Sequence, residues 1–294
     1  MTNDAVRSKD YLSVKGRLML FISRLVAYVV LAFLSFLCLF FFYLLIVNST
    51  RSQAQLAEGF RILPQDNFLV NLKNAWSDAS INIPRGMLNS FIVAFSSAVL
   101  TTYFSALTAF GIHCYDFRLK KVAFTFILVV MMIPSQISAV GFVKLCNTLN
   151  LTNNYIPLII PGIASPVVFF FMKQYMESIL PLEIVEASRV DGASEFYTFN
   201  KIVLPILSPA IAVQMIFSFV ASWNNFFIPA MIIDKAELKT VPIMIAALRS
   251  ADYSKFDMGK VYMLILLSIL PVIVVYLLLS KFIISGVSEG SVKG

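Results

Sequence analysis

Residues able to carry acid–base, nucleophilic or metal chemistry are few in this chain of 294 residues, and they are dispersed. Histidine occurs once, at His113, so neither a multi-histidine metal site nor a serine–histidine relay can be built within the chain. It is read as a loop residue. Cys38, Cys114 and Cys146 stand in separate segments without CxxC spacing, which fits small apolar side chains better than disulfides or structural zinc. There is no GxSxG, no pair of aspartates inside an apolar run and no G-x-x-x-x-G-K-[ST] phosphate loop. No catalytic site, metal or cofactor is therefore expected in the chain itself, and if it moves a solute uphill the energy must arrive from a partner.

What remains is chemistry of docking and of hydrogen bonding. Between residues 173 and 204 the charges Lys173, Glu177, Glu183, Glu186, Arg189, Asp191, Glu195 and Lys201 alternate with apolar positions. Pro181 suits the first turn of a helix, and Leu182, Val185, Ala187 and Val190 recur at helical spacing before Asp191-Gly192 stops it. A second helix is predicted from near Ser194 to Val203, ahead of Pro205. Two short amphipathic helices meeting at a glycine suit a docking surface; the alternative is a pair lying on lipid headgroups. A second group is uncharged: Trp223, Asn224 and Asn225, with Gln136, Ser138 and Gln214, stand as polar residues in apolar surroundings. An aromatic face beside amides suits a sugar ring in a solute pathway, but interfacial anchoring and hydrogen bonds between helices explain the same residues. The pair Met131-Met132 is read as packing.

The elements that must position these groups follow from composition. The chain is 59% hydrophobic and 13% charged, with a mean hydropathy of +0.83, which excludes a soluble domain and, with 27 Phe and 11 Tyr, disorder. Charge-free runs near 25–47, 86–112, 122–143, 154–172, 205–233 and 261–280 each suffice for a helical membrane crossing. They are too long, and apolar on too many faces, for β-barrel strands. The expected fold is an all-α bundle of six transmembrane helices, with small-xxx-small pairs such as Ser105 and Ala109 available for close contact. Lys15, Arg17 and Arg24 precede the first run, and Arg118, Lys120 and Lys121 fill the short loop 113–121, so both termini are expected in the cytoplasm. The net charge of +7 is scattered and fits anionic lipid, not nucleic acid. No ionisable residue lies in the middle of any run, which argues against proton-coupled or ion-coupled transport.

One stretch is recognisable. Glu186-Ala187-Ser188-Arg189-Val190-Asp191-Gly192-Ala193, with nine residues between Gly192 and Ile202 and then Leu204-Pro205, resembles the EAA motif of ABC importer permeases, with Ser188 in place of the second alanine. Trp223-Asn224-Asn225-Phe226 resembles the WNxF segment of sugar permeases, and Gly290-Ser291-Val292-Lys293-Gly294 their G-A-V-K-G tail. With Asn48-Ser49-Thr50-Arg51 after the first run, the likeness to the maltose-type, binding-protein-dependent carbohydrate permeases covers nearly the whole chain.

The resemblance implies a type I ABC importer permease fold in a bacterial cell membrane, with a cytoplasmic arm at 1–24, a transmembrane domain at 25–284 and a cytoplasmic tail at 285–294. It implies a second permease subunit, two cytoplasmic ATPase subunits that bind ATP and magnesium, and an extracytoplasmic solute-binding protein as partners. Glu186, Ala187, Asp191, Gly192, Ala193, Leu204 and Pro205 would then couple the ATPase to the spans. Loop 234–260 would reach the binding protein, and the tail would enter the ATPase dimer interface. The implied solute is a di- or oligosaccharide, with glycerol phosphate or polyamine as the alternative.

Overall fold

The computed structural model describes residues 14–78, 82–249 and 257–290, and within them the secondary structure is helical throughout, without a strand. The helices are α1 (Val14–Ser49), α2 (Gln53–Ala57), α3 (Phe68–Trp76), α4 (Ile83–Cys114), α5 (Lys120–Met131), α6 (Ser135–Thr148), α7 (Ile156–Ile159), α8 (Pro166–Ile179), α9 (Leu182–Val190), α10 (Glu195–Tyr197), α11 (Leu204–Ile206), α12 (Ser208–Trp223), α13 (Phe227–Ile232), α14 (Val241–Arg249) and α15 (Met258–Gly290). A 3-10 turn, Ile160–Ala164, links α7 to α8, and a π-helical segment, Thr198–Val203, links α10 to α11.

Among the described residues, four segments are long and apolar enough to cross a bilayer: Leu18–Ser49, Ile83–Cys114, Ile156–Ile179 and Met258–Phe282. A fifth arises if Glu195–Ile206 and Ser208–Trp223 are joined, but these two meet at 83°. Pro205 and Pro209 flank that corner, and a proline removes a backbone donor and clashes with the preceding turn. The corner separates the charged loop from the apolar helix that follows it. The run 122–143, expected as one span, is instead α5 and α6 broken at Met132–Pro134. Pro134 sits in an extended conformation as the cap of α6, and proline also disfavours helix in the residue before it. The long loops after α1 and α13 hold helices of their own, α2, α3 and α14, where no element was expected.

Helix α4 is the central post. One side carries Ser90, Ala94, Ser97, Ala98, Thr101, Thr102, Ser105, Ala106 and Ala109, all buried, and α12 and α8 pack against it. Side chains this small let helix backbones approach closely where lipid provides no hydrophobic drive. The pair Ser105 and Ala109 is fully part of that contact. Helix α1 is the opposite case: its apolar side chains are exposed on nearly every face, and its principal neighbour is α15. Toward the loop at 173–204 the packing becomes aromatic, with Phe110, Phe169, Met172, Met176, Val185 and Phe199 in one cluster.

Candidate functional site: the charged loop and a polar groove

Helix α9 forms where periodicity places it, with Pro181 at the position before its first turn rather than inside it. Val185 and Ser188 face inward, while Leu182, Ile184, Glu186 and Ala187 face out. Val190, expected on the apolar face, is 88% exposed. The side-chain carboxylates of Glu186 and Asp191 have no hydrogen-bond or ion-pair partner among the described residues. The free surface of α9 thus combines apolar side chains with unpaired carboxylates, the chemistry of a surface that another protein covers.

The end of α9 is closed by two hydrogen bonds, from the Gly192 N–H to the Arg189 carbonyl (3.0 Å) and from the Ala193 N–H to the Ser188 carbonyl (3.0 Å). That pairing requires a left-handed residue after the cap, and Gly192 supplies it with φ +78°. Nothing lies within 4 Å of a Cβ built at Gly192. Of the two reasons for a glycine here, positive φ and close approach, the backbone conformation is the one this chain uses.

Three contacts unforeseen in the sequence fasten the loop. The Ser188 hydroxyl lies 2.8 Å from the Val185 carbonyl, to which it donates, and 2.9 Å from the Thr198 hydroxyl, both hydroxyls being buried. The serine that replaces the motif's alanine therefore ties α9 to the following helix. Arg189 grips Glu195 with two hydrogen bonds, Nε to Oε1 at 2.7 Å and Nη2 to Oε2 at 3.3 Å, and its guanidinium lies 5.1 Å from the centre of the Tyr115 ring. Arg189 first, and Tyr115 second, hold the Glu195 carboxyl below its ordinary value, and the same bond to Glu195 raises Arg189. Tyr115 follows the last residue of α4, so the clamp joins the loop to the central post. His113, read as a loop residue, is in the last turn of α4, 3.1 Å from the Leu180 carbonyl.

The second group divides. Gln214 and Asn225 line one groove, of about 520 Å³, together with Ser97 and Thr101 of α4, Gly162 and Ser165 of the α7–α8 connection, and Ser218 and Ser222 of α12. Positions 214, 218 and 222 are spaced by four residues along one face of α12, and Asn225 lies just beyond its end. Trp223 points elsewhere: it is 3% exposed, stacked on Phe219 at 5.6 Å, and its indole N–H donates to the Ser268 carbonyl at 3.1 Å. Between the two readings open for Trp223, this geometry is that of an anchor between α12 and α15. Asn224 caps α12 and is exposed. Gln136 lies in the first turn of α6, its side chain outside the described residues. No group of three or more His, Cys, Asp or Glu able to hold a metal is found among the described residues.

Residues 103–283 match the family described as binding-protein-dependent transport system inner membrane component. The chain is 32% identical over 267 residues to the arabinooligosaccharides transport system permease protein AraQ of Bacillus subtilis, covering 89% of this chain and 92% of that protein. It is 28% identical to the melibiose/raffinose/stachyose import permease protein MelC of the same organism, over 86% of this chain and 91% of the relative. It is 29% identical to the sn-glycerol-3-phosphate transport system permease protein UgpE of Escherichia coli, over 81% and 85%. The fold matches a chain in the crystal structure of a bacterial ABC transporter involved in the import of the acidic polysaccharide alginate, with a TM-score of 0.76 and 21% identity, over 92% of this chain and 98% of that one.

Proposed function

The chain belongs to the family of binding-protein-dependent transport system inner membrane components, a multi-pass membrane transport subunit and not an enzyme, and on that premise we propose that it is a permease subunit of an ATP-driven carbohydrate importer. Relatives that import arabinooligosaccharides and the melibiose group support a di- or oligosaccharide as the solute. The relative for glycerol 3-phosphate is the observation behind a second reading, import of that phosphate ester by the same machinery.

The observation that carries the mechanism is the free surface of α9 beside the glycine turn. In this reading α9 lodges in a cleft of a cytoplasmic ATPase subunit, with Leu182, Ile184 and Val190 supplying apolar contact and Glu186 and Asp191 charge-assisted hydrogen bonds. ATP and magnesium belong to the ATPase pair. Closure of that pair moves α9 as a rigid lever. The Arg189–Glu195–Tyr115 clamp and the Ser188–Thr198 hydrogen bond pass the displacement to α4 and, through Leu204 and Pro205, to the corner below α12. The arm at 1–24 and the tail at 285–294 are cytoplasmic, and loop 234–260 meets the solute-binding protein, delivering solute to a path shared with a second permease subunit. Residues 1–13, 250–256 and 291–294 lie outside the described residues.

The test is assembly followed by transport. A cysteine at Val190 should crosslink to the ATPase subunit of the purified complex, and the complex in proteoliposomes should take up an oligosaccharide only with ATP and binding protein. A complex that forms without any contact at Val190, or uptake that persists without the ATPase, would refute the coupling assignment.

A further inference from the structure

The chain that leaves α1 turns back along it. Arg51, just past the end of the helix, is buried, and its Nη2 donates to the Gly59 carbonyl at 2.9 Å. Thr50 holds the other side of the loop: its hydroxyl accepts from the Gln65 N–H at 2.8 Å and its carbonyl from the Asn67 N–H at 2.9 Å. Residues 59 and 65 are thus both pinned at the level of the α1 terminus. Between them, the Ile62 carbonyl accepts a hydrogen bond from the Tyr43 hydroxyl at 2.7 Å. Tyr43 stands about 9 Å before Ser49 along the helix axis, and helical side chains lean toward the helix N-terminus. The bond therefore draws Ile62 back toward the bilayer, and residues 59–65 form a hook alongside the last turns of α1.

The depth of the hook follows from the span it lies on. The charge-free run 25–47 is about 35 Å long as helix, against a hydrocarbon core of about 30 Å. Centred on that core, the run meets the boundary near Ile46, and Tyr43 sits just inside it, where rings with one polar end are enriched. The side chains of the hook suit this depth: Phe60, Ile62 and Leu63 are 69%, 51% and 71% exposed. Irregular backbone at a bilayer boundary needs its polar groups paired, and the Gly59 carbonyl, the Ile62 carbonyl and the Gln65 N–H are. Arg61, between the apolar side chains, pairs with Glu58 at 3.0 Å, so the hook presents no net charge.

We propose that residues 59–65 are a lipid anchor: Phe60, Ile62 and Leu63 insert at the boundary between acyl chains and headgroups in the leaflet at the C-terminal end of α1, external in the proposed topology. Lipid is the occupant because the hook continues the surface of α1, whose most apolar stretch is exposed on every face, at the rim of the span. The neutral Arg61–Glu58 pair makes the contact one of acyl depth and not of headgroup charge. Its consequence is mechanical. Helix α1 is joined to the rest of the bundle chiefly through α15, so a hook seated in the interface fixes the height of α1 in the bilayer.

The experiment places a nitroxide on single cysteines, in a cysteine-free background, in the assembled complex reconstituted into vesicles of phosphatidylethanolamine and phosphatidylglycerol. A label at Leu63→Cys should collide with oxygen several-fold more often than with a water-soluble nickel chelate. A label at Asp66→Cys, beyond the hook, should show the reverse. Raising the phosphatidylglycerol fraction should leave the ratio at Leu63 unchanged. Adding Phe60→Glu and Ile62→Glu, both at exposed positions, should bring the Leu63 label into water and reverse its ratio. Collisions dominated by the chelate at Leu63 would place the hook in water, and low rates with both reagents would mean that a protein partner covers it; either result overturns the lipid anchor. A ratio that climbs with phosphatidylglycerol would replace acyl insertion by headgroup binding, and one that survives the two glutamates would show that Phe60 and Ile62 do not hold the depth. None of these readings depends on which solute is carried, so failure of the carbohydrate assignment and failure of the anchor are separate results.

Discussion

Gly192 offers the sharpest test of coupling, because the structure separates its two conceivable roles. Its φ of +78° lies in the left-handed region, and no atom approaches a Cβ added there. A substitution therefore strains the turn without clashing with the protein. For an alanine the left-handed region costs about 1–2 kcal/mol, which lowers the population of the native turn roughly 5- to 30-fold. Asparagine, which visits this region more readily, should cost less, and a β-branched valine more. Coupled uptake in proteoliposomes should fall in the order glycine, asparagine, alanine, valine. Membrane insertion should be unchanged, because Gly192 is exposed and outside the buried clusters. The assay measures ATP hydrolysed per solute transported, at matched amounts of complex. Wild-type stoichiometry in Gly192→Val would show that the turn has no part in coupling. Equal losses for all three variants would mean that the glycine surface itself, and not its φ, is what the ATPase recognises.

The clamp yields a reciprocal test: Arg189→Glu and Glu195→Arg should each uncouple ATP hydrolysis from uptake, and the double exchange should restore part of it. Since both side chains are about 40% exposed, the pair should add no more than about 1 kcal/mol to stability. Glu195 is depressed below its ordinary value of 4.5, so its contribution is complete above that value and is lost as pH falls through the lower folded value; coupling measured across neutral pH should not vary on its account. Trp223→Phe should cost about 1 kcal/mol through the Ser268 hydrogen bond and Trp223→Ala about 3–5 kcal/mol, read by thermal unfolding in detergent, with uptake falling only as folded complex is lost. A greater loss of uptake than of folded complex would place Trp223 in the solute path. In a cysteine-free background, cysteines at Arg118 and Glu186 should resist an impermeant maleimide from outside, while those at Asp66 and Lys235 react; the opposite pattern would invert the topology.

The sequence alone determined the class of the protein and the location of its charged loop helix, because both are written in local signals. Bilayer crossing depends on runs of apolar residues, and the α9 turn depends on a helical period ended by glycine, so neither needs long-range contacts to be read. Proline positions already hinted at the corner before α12 and the break before Pro134, but whether a proline bends, breaks or merely begins a helix is set by its neighbours in space. Tertiary structure alone decided which polar residues face one another. Gln214 and Trp223 are both polar-capable residues of one apolar helix, yet one lines the groove and the other is stacked on Phe219 and bonded to Ser268. The Ser188–Thr198 bond and the Arg189–Glu195–Tyr115 clamp likewise join residues whose spacing carries no shared period. In a chain that is apolar on most faces, hydrophobic periodicity cannot tell a lipid-facing side from a groove-facing one. The packing of α12 and the α7–α8 connection around the small residues of α4 makes that distinction.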